Sequence, residues 1–212
     1  MHSIKEKLRR AQEWGERLLI ALFLRKYHAF PKVNLEVPDF KCDGEILDIG
    51  GGGEGVIGRL KGSQVVAIDL HQEELDGIVD GPLKMVMDAR DLKFPEGHFA
   101  VVTAFFSMMY MKTRADQQQV LRQAYRVLRP GGRLLVWDID LPSLPDTSKT
   151  CYLVRLRYHV RSYEKGTAYG ARWPTEPRGE QDYIRMAEGA GFHFHATTRV
   201  AHTFMLEFLK PE

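Results

Sequence analysis

Apolar residues in this chain fall into two patterns that alternate along its middle. Compact apolar runs at 46–49, 65–68, 84–87, 99–105 and 133–138 read as buried strands. Residues 54–60 and 114–128 carry the longer helical pattern. Strands and helices in alternation predict a mostly parallel sheet with helices on both faces. Ahead of this core, Ser3 to Tyr27 contains good helix formers and no proline, with Leu8, Trp14, Leu18 and Leu22 near helical spacing, so one N-terminal helix is expected. Pro31 and Pro38 bracket an irregular connector.

After Asp140 the pattern changes. Pro142 and Pro145 precede two β-rich runs, Cys151 to Val160 and Thr167 to Trp173, joined by Tyr163-Glu164-Lys165-Gly166, which reads as an inserted β-hairpin. Glu180 to Glu188 is helical in pattern, Gly189 to Gly191 breaks it, and Phe192 to Arg199 with Thr203 to Leu209 should close the sheet as an antiparallel pair. The expected fold is therefore α/β: a doubly wound, mostly parallel seven-stranded sheet with an antiparallel last strand. A single domain over 1–212 is expected, divided into 1–40 (N-terminal helix and connector), 41–140 (core), 141–177 (inserted hairpin) and 178–212 (C-terminal helix and strand pair). At 212 residues such a domain buries about 70% of the surface its unfolded chain exposes.

Composition narrows the class rather than the chemistry. Thirty Lys and Arg against 28 Asp and Glu leave a net charge of +2, which does not mark nucleic acid as the main partner and does not exclude it. Cys42 and Cys151 match no metal spacing and suit a reduced, cytoplasmic protein. The longest apolar run, Leu18 to Leu24, falls well short of a spanning helix, and no small-residue cleavage site follows it, so neither a membrane span nor a signal peptide is expected. The first 26 residues carry seven Lys or Arg and three Glu, which makes a membrane-surface role conceivable. Packing of the apolar stripe onto the domain, as a lid over a bound cofactor, is the preferred reading. His193 and His195 alternate on a strand with His202 nearby, but no Cys or carboxylate completes a metal set, so a solvated strand face is expected.

The chemistry concentrates at Glu45-Ile46-Leu47-Asp48-Ile49-Gly50-Gly51-Gly52-Gly53-Glu54-Gly55 and at Val65 to Asp69. A strand enters a glycine loop, a helix follows, and a second strand ends in an acid that can accept both hydroxyls of a ribose. The spacing Gly50-x-Gly52-x-x-Gly55 also fits a dinucleotide fingerprint. Asp48 and Glu54 argue against it, because they would repel a pyrophosphate and suit a cationic sulfonium amino acid.

These residues resemble the first motif of the class I S-adenosylmethionine-dependent methyltransferases, of the small-molecule, methyltransferase domain 11-like type. Further matches occur in the family's order: Asp69, Asp88-Ala89 after Leu83 to Met87, and Leu128-Arg129-Pro130-Gly131-Gly132 before Arg133 to Trp137. The resemblance is strong over residues 42 to 138. Ala100 departs from it, since many relatives have Asp there. The resemblance implies a Rossmann-like sheet and a site for S-adenosylmethionine, released as S-adenosylhomocysteine after transfer. The implied cofactor residues are Asp48, Gly50, Gly51, Gly52, Asp69, Leu70, Asp88, Ala89, Phe105 and Ser107, with no metal. Asp48 would meet the amino group of the methionine part or a water, Asp69 the ribose diol, and Asp88 with the Ala89 N–H the adenine edge. Phe105 and Ser107 would belong to the floor.

The acceptor is read as a partly apolar or aromatic small molecule, in a pocket built from the N-terminal helix, the segment after the fourth strand and residues 141–174. Displacement at an activated sulfonium needs mainly alignment, so a catalytic base is optional. Tyr110, Tyr158, His159 and Tyr169 are candidates that no spacing separates. No Asn/Asp-Pro-Pro-aromatic motif follows the fourth strand and no Pro-Cys pair occurs, which argues against methylation of nucleic-acid bases. A nicotinamide oxidoreductase and a non-catalytic cofactor-binding protein stand as alternatives.

Overall fold

The structure is a computed structural model, and it describes residues 25–142 and 149–212. Most of the expected N-terminal helix lies outside those residues. Its expected end does not hold, because Tyr27 opens a strand. Eleven strands are described. They are β1 (Tyr27–Ala29), β2 (Val33–Glu36), β3 (Ile46–Ile49), β4 (Val65–Asp69), β5 (Leu83–Val86), β6 (Phe99–Phe105), β7 (Leu128–Ile139), β8 (Cys151–Val160), β9 (Tyr163–Arg172), β10 (His193–Val200) and β11 (Thr203–Leu209). The described helices are α1 (Val56–Lys61), α2 (Gln72–Asp76), α3 (Arg114–Val127) and α4 (Glu180–Gly189). The described residues fall into two compact units, one drawn from residues 25–37, 141–142 and 149–178, the other from Pro38–Asp140 and Gly179–Glu212.

The larger unit carries a seven-stranded sheet in the order β10-β11-β7-β6-β3-β4-β5. The pairs from β7 to β5 are parallel, and β11 runs antiparallel to both of its neighbours. All four residues of β3 and all seven of β6 are buried, which is why these central strands read as apolar runs broken only by Asp48 and Thr103. In α3, Val120, Leu121, Ala124 and Val127 face the core, and Thr113 and Asp116 close a reciprocal capping box at its start. The bulge between Phe194 and Ala196 falls at His195, so the strict alternation expected to put His193 and His195 on one face is broken; both are exposed.

The segment Leu128 to Gly132 is stitched to the chain's last residues. Gly131 N–H donates to the Lys210 carbonyl at 3.0 Å and Lys210 N–H donates to the Gly132 carbonyl at 2.8 Å. The buried Lys210 ammonium then caps the end of α3, donating to the carbonyls of Tyr125 (2.9 Å) and Leu128 (2.7 Å). A cation at this end also meets the negative pole of the helix.

In the smaller unit β8 and β9 form an antiparallel hairpin over their full lengths. Val160 pairs with Tyr163, so the turn is Arg161-Ser162, with Arg161 at φ 53°, and not the expected Tyr163 to Gly166. Gly166 lies inside β9 opposite Arg157. A two-residue turn needs a positive φ, and Arg161 adopts it without a glycine. The connector is also more ordered than expected: β1 and β2 run parallel to β8 at Cys151–Leu153 and Leu156–His159. Because β9 occupies one edge of β8 throughout, both short strands share the other, interrupted at Pro31, which has no N–H to donate.

Replacing Lys210 with Met should leave two helix-end carbonyls without their charged donor and lower the unfolding free energy by about 1–3 kcal/mol in a urea titration.

Candidate cofactor site

The strand order sets the location of this site. β3 lies between β4 and β6; from β3 the chain moves outward through β4 to β5 and then crosses back to β6 on the other side of β3, so the strand order reverses at β3, which makes its end the switch point of the sheet. Asp48, Asp69 and Phe105 occupy the carboxyl ends of β3, β4 and β6, and Asp88 follows β5 by two residues. Four segments distant in sequence thus reach one edge of the larger unit.

The glycine loop is shaped by backbone and neighbours together. Gly50 has φ 67°, and a Cβ there would collide with the Cβ of Ser107. Ser107 itself is buried and donates its hydroxyl to the Ile49 carbonyl at 2.6 Å, so its polar group braces the loop. A helix not anticipated from the sequence, α2, packs on the other side: Gly53 N–H donates to the Glu74 carbonyl at 2.8 Å, and a Cβ on Gly52 would lie 2.7 Å from the Glu74 Cβ and 2.9 Å from Asp69 Oδ2. Five residues are too few to show a helical period, which is why α2 was missed. Gly51 is held by its N–H, donated to the Ile68 carbonyl at 3.0 Å, above the Asp48 carboxylate.

Asp48 is 2% exposed and accepts from the Thr103 hydroxyl at 2.7 Å. Burial pushes its pKa up to about 7, the Thr103 hydrogen bond opposes that rise, and the Asp69 charge adds to it. Asp69 uses Oδ1 to accept the His71 N–H at 3.0 Å, a turn that leaves Oδ2 against the glycine loop. Leu70 beside it is 54% exposed, an apolar side chain offered at the sheet edge. Ala89 is buried, whereas Asp88 is partly exposed and engaged by Arg90, whose Nε lies 3.0 and 3.1 Å from its two oxygens and whose Nη2 lies 2.7 Å from Oδ2. Hydrogen bonding to Arg90 holds the Asp88 carboxyl below the usual carboxylate range. Arg90 also reaches Asp116 at the start of α3, at 3.0 Å.

The floor beyond β6 is apolar and strained. Phe105 packs on Trp137 with ring centroids 5.7 Å apart, and Phe106 is held at φ 50° by an N–H donated to the Trp137 carbonyl at 2.9 Å. A bulky residue in the left-handed region costs about 1 kcal/mol or more, and such outliers cluster where ligands bind. Met108 follows, its carbonyl accepting from Gln117 Nε2 at 3.2 Å; the same amide group donates to Tyr183 Oη, which donates to Asp138 at 2.7 Å. Thr103, Arg90, Gln117 and Tyr183 were not read as site residues. Only Thr103 gave a signal, as the one polar residue in the strand Phe99 to Phe105.

With a carboxylate pKa raised from 3.8 to about 7, the folded protein holds a proton at Asp48 that the unfolded chain has released. Asp48 therefore costs nothing below about pH 4, and its cost grows as pH rises to about 7, up to an order of 4 kcal/mol. Asp48→Asn should remove that slope, so that thermal melts of the variant and the parent converge near pH 4, diverge in the variant's favour between about pH 4 and pH 7, and stay apart by a constant margin above that.

Sequence and structure comparisons agree with this architecture. Residues 47–136 match the family described as a methyltransferase domain. The ubiquinone/menaquinone biosynthesis C-methyltransferase of Vibrio parahaemolyticus is 35% identical over 118 residues, covering 49% of this chain and 44% of that protein. The enzyme of the same name from Proteus mirabilis is 28% identical over 186 residues, covering 78% and 73%. The chain thus spans less than half the length of the first of these relatives. A crystal structure of a SAM-dependent methyltransferase from Methanosarcina mazei superposes with a TM-score of 0.58 at 17% identity, covering 81% of this chain and 94% of that one, a likeness of fold. Over residues 47–136 this chain is similar to the methyltransferase-domain family, and its fold is like that of the SAM-dependent methyltransferase from Methanosarcina mazei.

Proposed function

We propose that the protein transfers a methyl group from S-adenosylmethionine to a small-molecule acceptor. The observation that carries the reading is the pairing of a buried acid beneath a glycine loop with a second acid at the end of the adjacent strand. This donor set fits a ligand that is cationic at one end and carries a ribose diol at the other. A pyrophosphate would meet Asp48, Asp69 and the α2 acid Glu74 around the loop, all of the wrong sign.

In this reading Gly50, Gly51 and Gly52 let the ligand approach the backbone, and Asp48 faces its ammonium group directly or through a water. Asp69 accepts the ribose hydroxyls and Leu70 covers the base. Asp88 and the Ala89 N–H read the adenine edge. Arg90 already makes four contacts with the two Asp88 oxygens, through its backbone N–H, Nε and Nη2, so one of these gives way when Asp88 accepts from the adenine amino group. Phe105 and Ser107 close the floor and exclude water. S-adenosylmethionine supplies an electrophilic methyl on a sulfonium that already is a good leaving group, so the chain's own task is alignment and desolvation.

An aromatic or apolar acceptor is the preferred class, supported by the carbon methyltransferases of quinone biosynthesis among the relatives. Nucleic acid is not part of this reading, which rests on the near-neutral net charge of +2. The two free cysteines support a cytoplasmic setting. Among the described residues no helix is long and apolar enough to cross a membrane.

The test is a calorimetric series with S-adenosylmethionine, S-adenosylhomocysteine and NAD. Binding of the first two and not the third is expected; binding of NAD alone would overturn the reading. Asp69→Ala should weaken S-adenosylmethionine by about 1–3 kcal/mol through loss of a charged acceptor. Gly52→Val should abolish binding, since its side chain would displace Glu74 and Asp69. His193→Ala, on an exposed strand, should leave affinity unchanged.

A further inference from the structure

Thr103 stands out in β6. It is completely buried in a strand whose other six residues are apolar, and it sits opposite Asp48 in the parallel pairing of β3 with β6. Its Oγ1 lies 2.7 Å from Asp48 Oδ1 and 3.4 Å from the Leu47 carbonyl. One hydroxyl hydrogen serves one strong acceptor, and the shorter contact assigns it to the carboxylate. With Oδ1 so held, Oδ2 lies under the glycine loop, 2.7 Å from where a Gly51 Cβ would stand. The charged group that acts on Asp48 is Asp69, at the end of β4, and its sign opposes ionisation. A cationic group brought to the loop by a ligand would complement Asp48.

We propose that Thr103 is a positioning residue of the cofactor site: its hydroxyl orients the Asp48 carboxylate so that Oδ2 faces the cationic amino-acid end of S-adenosylmethionine. This rests on the reading of the site as one for that cofactor. Ser107 does the corresponding work for the loop backbone through the Ile49 carbonyl, but only Thr103 acts on the charged group. A hydroxyl donor stabilises the ionised carboxylate, so removing it favours the protonated acid, which offers a cation much less.

The experiment compares the parent protein with Thr103→Val, which keeps the shape and loses the hydroxyl, and Thr103→Ser, which keeps the hydroxyl. Each is titrated calorimetrically from pH 6 to 9 with S-adenosylmethionine, S-adenosylhomocysteine and 5′-methylthioadenosine, which lacks the amino-acid end. Thr103→Val should lose about tenfold or more for the first two ligands and stay within about twofold for the third. The pH at which S-adenosylmethionine binding is half maximal should move upward in Thr103→Val and return in Thr103→Ser. Equal losses for all three ligands, an unmoved pH midpoint, or no rescue by serine would overturn the proposal while leaving the cofactor assignment intact. If Thr103→Val does not fold, Thr103→Ala carries the same comparison with the same outcomes. A parent protein that binds none of the three ligands would overturn the cofactor reading itself, and the proposal with it.

Discussion

The position of β3 between β4 and β6 is the constraint on which the cofactor edge depends. A parallel pairing on each side fixes which residues of three strands end together, and the chain runs outward on the β4 side before crossing back to β6 on the other. Ligands of open α/β sheets bind where the strand order reverses, and the glycine loop stands at that point of this sheet. Asp48 meets Thr103 because the two are register partners, and Asp69 reaches the loop because β4 ends one residue beyond the partner of Ile49. A slip of one residue in either pairing would turn Asp48 or Thr103 to the opposite face and dissolve the site.

At that edge the protein tolerates features that work against its own stability. A carboxylate is buried with a single hydroxyl donor and a like charge nearby, and Phe106 is held in the left-handed region. Both are consistent with a surface organised for a ligand, because a cation beneath the loop would relieve the first. Elsewhere in the larger unit both ends of α3 are closed: a capping box starts it, and the Lys210 ammonium closes its end.

Much of this was legible in the residues. The strand Phe99–Phe105 and the two C-terminal strands follow from apolar runs and breaker glycines, and α3 from its helical stripe and proline-bounded end. The glycine loop and the acids Asp48 and Asp69 were readable because a tight turn after a buried strand leaves a strong local trace. Less visible were β1 and β2, whose few residues become strands only because β8 supplies an edge, and α2, too short to display a period. The hairpin turn at Arg161-Ser162 escaped notice for a related reason, since its positive φ falls on a residue that carries no turn signature.

The sequence by itself determined the alternating α/β order, the glycine loop and the acids at the strand ends, because these depend on periodicities of a few residues and on side-chain chemistry. Only the tertiary structure decided which polar groups meet. Thr103 reaches Asp48 across 55 residues of chain, Ser107 reaches Ile49 across 58, and Lys210 caps a helix end 82 residues before it. Such partners are set by strand register and by where the segment after β11 is tied down. Neither leaves a mark in any local window, so the charge state of the site's central acid became visible only once the sheet was assembled.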